Sequence, residues 1–284
     1  MKLKISPLRS LPRRIANRYQ ENGLKFIIRV FITKTPLYFI SGSIMRLLIL
    51  IRNKIKPIPD PPTNRNAIAV LGRGPSLTRA RELDFLEEFI ITNNFNKESN
   101  NKDIDWILKN KRIIHLLNKG EPVLTPLKVL KYNIMRCQLT RLRPTNATDW
   151  WREERTRRGP EAVGLEAWYL PEEMEPLLRE DFPDNVGLNA IIYAAHILGC
   201  DYVYAAGIDF YEQAEYMRDS QQLDWTKEKT RQKTLLLYNQ MEEIASEFPD
   251  TQFHFVTHAS FDPDAQNIHV YNTNGCVKKP FDFE

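Results

Sequence analysis

Gly207-Ile208-Asp209-Phe210-Tyr211 follows directly on the apolar run Tyr202 to Ala206, and this passage from an apolar run into a glycine-led loop decides how the chain is read. A short apolar run ending in a turn signal fits a strand covered on both faces. At the carboxyl end of such a strand an α/β protein places its chemistry. Immediately upstream, residues 185–198 (NVGLNAIIYAAHIL) read as a small-residue helix ended by Gly199, so a helix passes at once into the strand. Residues 67–77 (AIAVLGRGPSL) repeat the pattern: an apolar run breaks at Gly72-Arg73-Gly74-Pro75, and Ser76 is placed to cap a helix from about 77. Two such corners predict one nucleotide-sized crevice.

Further strands are expected near 89–92, 113–117, 253–257 and 268–271, with a long charged helix over 227–247. The Asn- and Lys-rich stretch 93–103 reads as a polar loop. Residues 139–183, with Trp150-Trp151, an arginine-rich run to Arg158 and several prolines, fit an inserted flap or an acceptor-binding surface. The remainder of the chain lacks the basic character a nucleic-acid partner would demand.

The 284 residues, 42% apolar, can bury one large core. Their formal charge of +4 is uneven, because residues 1–60 hold 13 Lys/Arg against Glu21 and Asp60. The most hydrophobic window, 36–51, is only about 16 residues long and contains Arg46, where roughly 20 apolar residues are needed to span a bilayer. Residues 1–60 therefore read as a basic amphipathic helical segment that lies on an anionic membrane surface, ending in the Pro57 to Pro62 linker; packing onto protein is the competing reading. Residues 61–284 form the main domain. Cys137, Cys200 and Cys276 have no disulfide or metal spacing, and with no signal-peptide arrangement at the N-terminus the expected location is cytoplasmic, peripheral on the inner face of the membrane.

The glycine turn lacks the lysine of a P-loop and the third glycine of a dinucleotide fingerprint. On physical grounds Gly72 and Gly74 would let a ligand approach the backbone, and Ser76 with the helix start would offer donors to a phosphate or ribose.

Taken in order along residues 66–250, the motifs resemble the bacterial sialyltransferases of glycosyltransferase family 42. The resemblance is carried by Gly72-Arg73-Gly74-Pro75-Ser76-Leu77, by strand ends at Asn93 and Asn118, by the helix opening at Gly187, and by Gly207-Ile208-Asp209-Phe210-Tyr211. It implies a doubly wound, mostly parallel Rossmann-like α/β sheet, a GT-A-like variant, with a small lid around 212–227. It also implies that the glycine turn, Asn93, Asn118, Gly187 and Gly207-Ile208-Asp209 bind a CMP-activated sugar. Tyr211 and Tyr216 would hydrogen-bond the departing phosphate, in a metal-independent transfer of sialic acid or a related nonulosonate that needs no cofactor. The acceptor would be a cell-surface glycan or lipid-linked precursor; the sequence leaves homo-oligomerisation open.

Three departures stand against that pattern. The family's lid histidine is missing, since residues 212–226 contain none; the family's asparagine in the first turn is Arg73; and the arginine before the small-residue helix is Pro183, with Arg179 nearby. His258, just beyond the carboxyl end of the 253–257 strand, and Asp224 are the candidate bases. The GxGPSL turn and the late GxD loop also resemble the pterin diphosphokinase and motility-accessory-factor group. A non-catalytic nucleotide-binding scaffold for surface polysaccharide assembly is a third reading.

Overall fold

The computed structural model describes residues 35–59, 66–93, 95–117, 124–142, 160, 163–177, 185–212, 226–272 and 277. Eight strands form one sheet: β1 Ala67–Leu71, β2 Glu88–Thr92, β3 Arg112–Leu117, β4 Ile134–Leu142, β5 Ala167–Leu170, β6 Tyr202–Ala206, β7 Gln252–Val256 and β8 Ile268–Tyr271. Their spatial order is β5-β4-β3-β2-β1-β6-β7-β8, and every pairing is parallel. The architecture is thus the expected α/β Rossmann-like one, with a sheet that is parallel throughout among the described strands.

Both faces of the sheet are covered, which is why the central strands are continuous apolar runs. Because strand side chains alternate, Ile68, Val70, Ile90 and Val203 pack on one side against helix α4, Val186–Ile192, and helix α5, Lys227–Glu247. Ala69, Leu71, Phe89 and Tyr204 pack on the other, against the 3-10 helix Pro75–Leu83, helix α2, Lys102–Asn110, and helix α3, Pro126–Lys131.

Several expectations require correction. The first helix begins at Pro75 rather than 77 and is a 3-10 helix; its N-cap is Gly74, and no side chain caps it. The stretch read as a polar loop carries a 3-10 turn at Glu98–Asn100 and runs at its end into the first residues of α2, which is capped by Asn101: its Oδ1 accepts from the amides of Asp103 (2.9 Å) and Ile104 (3.4 Å). The unassigned 139–183 region holds the end of β4 and all of β5, which complete one edge of the sheet.

Helix α1, Thr35–Ile55, precedes the sheet. It is docked rather than separate. Met45 is buried, Arg52 Nη1 donates to Asn133 Oδ1 (3.3 Å), Lys56 Nζ donates to the Lys109 carbonyl (3.1 Å), and the Arg112 guanidinium donates to the Pro59 carbonyl. Among the described residues no helix is long and apolar enough to cross a membrane.

Candidate functional site

The strand order reverses between β1 and β6, and in an open α/β sheet the crevice for a ligand lies outside the carboxyl ends of the strands at that point. The two corners singled out in the sequence meet there. Gly72 N donates to the Ala206 carbonyl (2.8 Å) and Gly74 N to the Gly207 carbonyl (2.7 Å). In return, Gly207 N donates to Ser76 Oγ (2.9 Å), and Ser76 N donates to Asp209 Oδ2 (2.9 Å).

This crossing explains the glycines differently from the sequence reading. A Cβ on Gly72 would lie 2.2 Å from the Gly207 carbonyl oxygen, and one on Gly74 would lie 2.2 Å from Asp209 Oδ2. The close approach is therefore made by the opposite loop of the same chain. Ser76 is fully buried, so its hydroxyl serves Gly207 and its amide serves Asp209.

Asp209 is the knot. Besides Ser76, its carboxylate accepts from Thr257 Oγ1 (2.8 Å) and from the backbone amide of His258 (2.9 Å), both on Oδ1. The loops after β1, β6 and β7 are thereby tied through one buried side chain.

Above the knot is a crevice whose walls include Gly72, Arg73 and Gly74 after β1, Asn93 after β2, Gly187 in α4, and Gly207, Ile208, Asp209 and Tyr211 after β6. All nine were singled out from the sequence. Pro75 and Ser76 stand behind this wall, and the His258 backbone amide is tied to it through Asp209 (2.9 Å). Asn118, Tyr216, Asp224 and most of the expected lid lie outside the described residues.

Asn185, Thr92 and Leu237 also line the crevice and were not assigned from sequence. Asn185 carried a legible signal, as an asparagine just before a helix: its Oδ1 caps α4 by accepting from Gly187 N (2.9 Å) and Leu188 N (3.2 Å).

Charge and backbone strain are both concentrated here. Arg73 Nε donates to Glu98 Oε1 at 2.9 Å, and the buried Glu98 carboxylate fixes where this cation stands on the crevice wall. The non-glycine residues with positive φ among those described are Asn93 (54°), Phe210 (50°) and Tyr211 (61°), all on this crevice. Left-handed backbone costs such residues roughly 1–2 kcal/mol each, so it persists only where neighbours enforce it.

The enforcement is visible. Phe210 is clamped among Tyr238, Phe255 and Phe261 with ring centroids 4.8–5.4 Å away, and its carbonyl accepts from Thr234 Oγ1 (3.0 Å). The Asn93 amide donates to the Leu116 carbonyl (2.8 Å), and its own carbonyl accepts from His115 Nε2 (2.5 Å). A carbonyl can only accept, so Nε2 carries a proton. Burial pushes its pKa down to about 4, against a smaller opposing effect of the Asn93 bond.

Fold and site together define an α/β protein with a ligand crevice at the switch point of a parallel sheet. No family model matches the sequence, and no curated protein matches it. Among solved structures the chain is similar to the sialyltransferase CST-II in complex with a trisaccharide acceptor and CMP, at 15% identity over 75% of this chain and 88% of that one, TM-score 0.42. It is also similar to the sialyltransferase CstII from Campylobacter jejuni in complex with a substrate analogue, cytidine-5'-monophosphate, at 15% identity over 75% of this chain and 89% of that one, TM-score 0.44.

Proposed function

We propose that this chain is a glycosyltransferase that transfers sialic acid or a related nonulosonate from a CMP-activated donor to a glycan or lipid-linked acceptor, without a metal. The observation that carries this reading is the 2.9 Å bond from Ser76 N to Asp209, which brings the GRGPSL and GIDFY corners onto one crevice. Those are the segments by which the sequence resembles the family.

In this reading the backbone of the first turn and the loop after β6 cradle the nucleotide, while Asn93 and Asn185 hold its sugar or phosphate. Arg73, set by Glu98, faces the phosphate with a fixed positive charge. Tyr211 donates its phenolic proton to the departing phosphate, where a well-placed donor is worth about 2.7–4 kcal/mol of transition-state stabilisation. The left-handed backbone of Tyr211, next to the clamped Phe210, suits that task, because a preorganised donor costs no reorganisation when charge develops. The acceptor hydroxyl needs a base, a role for which Asp224 and His258 are the candidates from sequence. Acting on a lipid-linked or surface glycan precursor, the enzyme would work at the cytoplasmic face of the membrane.

A second reading, a pterin diphosphokinase-like or motility-accessory-factor-like enzyme, is favoured by one observation: residues 212–226 contain no histidine. A thermal-shift screen separates the two, since a ligand that binds the native state raises its midpoint by mass action. Cytidine nucleotides should stabilise the protein and purine nucleotides should not. Stabilisation by purine nucleotides or pterins alone would favour the second reading. Given a CMP-sugar, Tyr211→Phe should lower turnover 10²–10³-fold or thereabouts while keeping the CMP-induced shift. An unchanged rate removes Tyr211 from the chemistry, and CMP binding without turnover in the parent protein would leave a scaffold.

A further inference from the structure

Helix α1 has two faces of different character. Its inner face holds it to the domain: Met45 is buried, the backbone at Met45 and Arg46 lies against Gly164, and Arg52 bonds Asn133. Its outer face carries Ile40, Ile44, Leu47, Leu48, Ile51 and Ile55, spaced so that they share one side of the helix, and all six are exposed by between 39% and 80%. A contiguous exposed apolar stripe marks an interaction site.

Its cationic flanks indicate the partner. Arg46 and Lys54 are exposed beside the stripe, and no Asp or Glu occurs between residues 22 and 59. A second copy of the chain paired along this stripe would bring cations against cations with no acidic residue to answer them, whereas a stable helix pair uses complementary charges beside its seam. Residues 1–34 suit the place no better, with nine Lys/Arg against Glu21. A span is excluded by the inner face, which is bound to the domain through polar contacts. We infer that the outer face of α1 docks the protein in plane on an anionic lipid surface, with the isoleucines and leucines in the acyl boundary and Arg46 and Lys54 among the headgroups. This inference stands apart from the proposed chemistry.

The test uses the full chain and sedimentation with two kinds of vesicle, phosphatidylcholine alone and a 7:3 mixture of phosphatidylcholine and phosphatidylglycerol. The parent protein should sediment with the mixed vesicles and at least tenfold less with the neutral ones, and high salt should release it. Leu47→Glu/Ile51→Glu should reduce binding to mixed vesicles at least tenfold with a nearly unchanged melting temperature, because both side chains lie on the exposed face. Arg46→Gln/Lys54→Gln keeps the stripe intact and should lose the preference for anionic lipid. Several results overturn the inference. They are binding equal to the parent's in both variants, a lower melting temperature in the Glu variant with unchanged vesicle binding (the stripe covered by residues 1–34), and no vesicle binding in a parent dimer that the Glu variant splits, as read by light scattering.

Discussion

At the scale of single residues, Asp209 fastens three loops together as well as lining the crevice. Its carboxylate takes three donors, two of them backbone amides from loops that follow different strands. Removing the acceptor takes the Asp209 partner from the Ser76 and His258 amides, at about 1–3 kcal/mol for each such group, while Thr257 Oγ1 keeps the Ile208 carbonyl (3.4 Å). Even at about 1 kcal/mol for each of the two amides, Asp209→Ala should lower the melting temperature of the ligand-free protein by roughly 4–8 °C, given about 2–4 °C per kcal/mol at this size. Calorimetry on the two proteins without nucleotide checks this. A midpoint equal to the parent's would mean the carboxylate is reserved for a ligand. The same residue shows the limit of reading a motif: the letters GID located the site, but the partners of the Asp lie 48, 49 and 133 positions away along the chain.

At the scale of elements, the crossing of the loops after β1 and β6 fixes the crevice, and glycine is what lets them cross. Gly72→Ala would place a methyl 2.2 Å from a backbone carbonyl oxygen in the sheet centre, a clash that only a shift of one central strand end relieves. Urea unfolding should show a loss of about 3 kcal/mol or more. Gly199→Ala is the control: nothing lies within 4 Å of its Cβ, so it pays only for its φ of +63°, about 1–2 kcal/mol. Equal losses would show that the crossing is looser than the 2.7–2.9 Å bonds indicate. The strands flanking this crossing were legible because burial on both faces writes them as unbroken apolar runs. β4 was not, because Arg136, Gln138 and Thr140 alternate through it and Gln138 spends its amide on the Trp168 and Tyr169 carbonyls. α2 was hidden by its own cap, since the asparagines that start it are also the residues of a loop. The crevice residues were found by motif order, and Asn185 and Thr92 were passed over because a cap and a strand end need no ligand to explain them.

At the scale of the whole molecule, two buried histidines couple the stability of the sheet to acid. His115 sits in β3, and His254 sits in β7 with rings stacked at 4.4 Å from Tyr204 and 4.7 Å from His269. Burial pushes His254 down to about 3, with His269 adding to the effect, as burial pushes His115 to about 4. Both folded values lie below the unfolded value of about 6.5, so between them the unfolded chain holds more protons and stability falls with pH. The contribution is fully present above about pH 6.5 and is lost as pH drops toward 4 and 3, on the order of 1–2 kcal/mol per ring by pH 5. Melting temperature should accordingly decline from pH 7 to pH 5, above the range in which most carboxylates titrate, and His254→Phe should flatten that decline. A parent protein equally stable at both values would mean the rings are not held neutral. The two sites differ in one consequence. His115 donates to the Asn93 carbonyl from Nε2, and its Nδ1 has no hydrogen-bond partner, so a second proton there has nowhere to bond. Acid should loosen the left-handed turn at Asn93 before the sheet unfolds. Nucleotide-induced stabilisation should then weaken as pH falls from 5 toward 4, where His115 in the folded protein takes up its second proton, in the parent and in His254→Phe alike, which separates an effect on the crevice from one on the sheet.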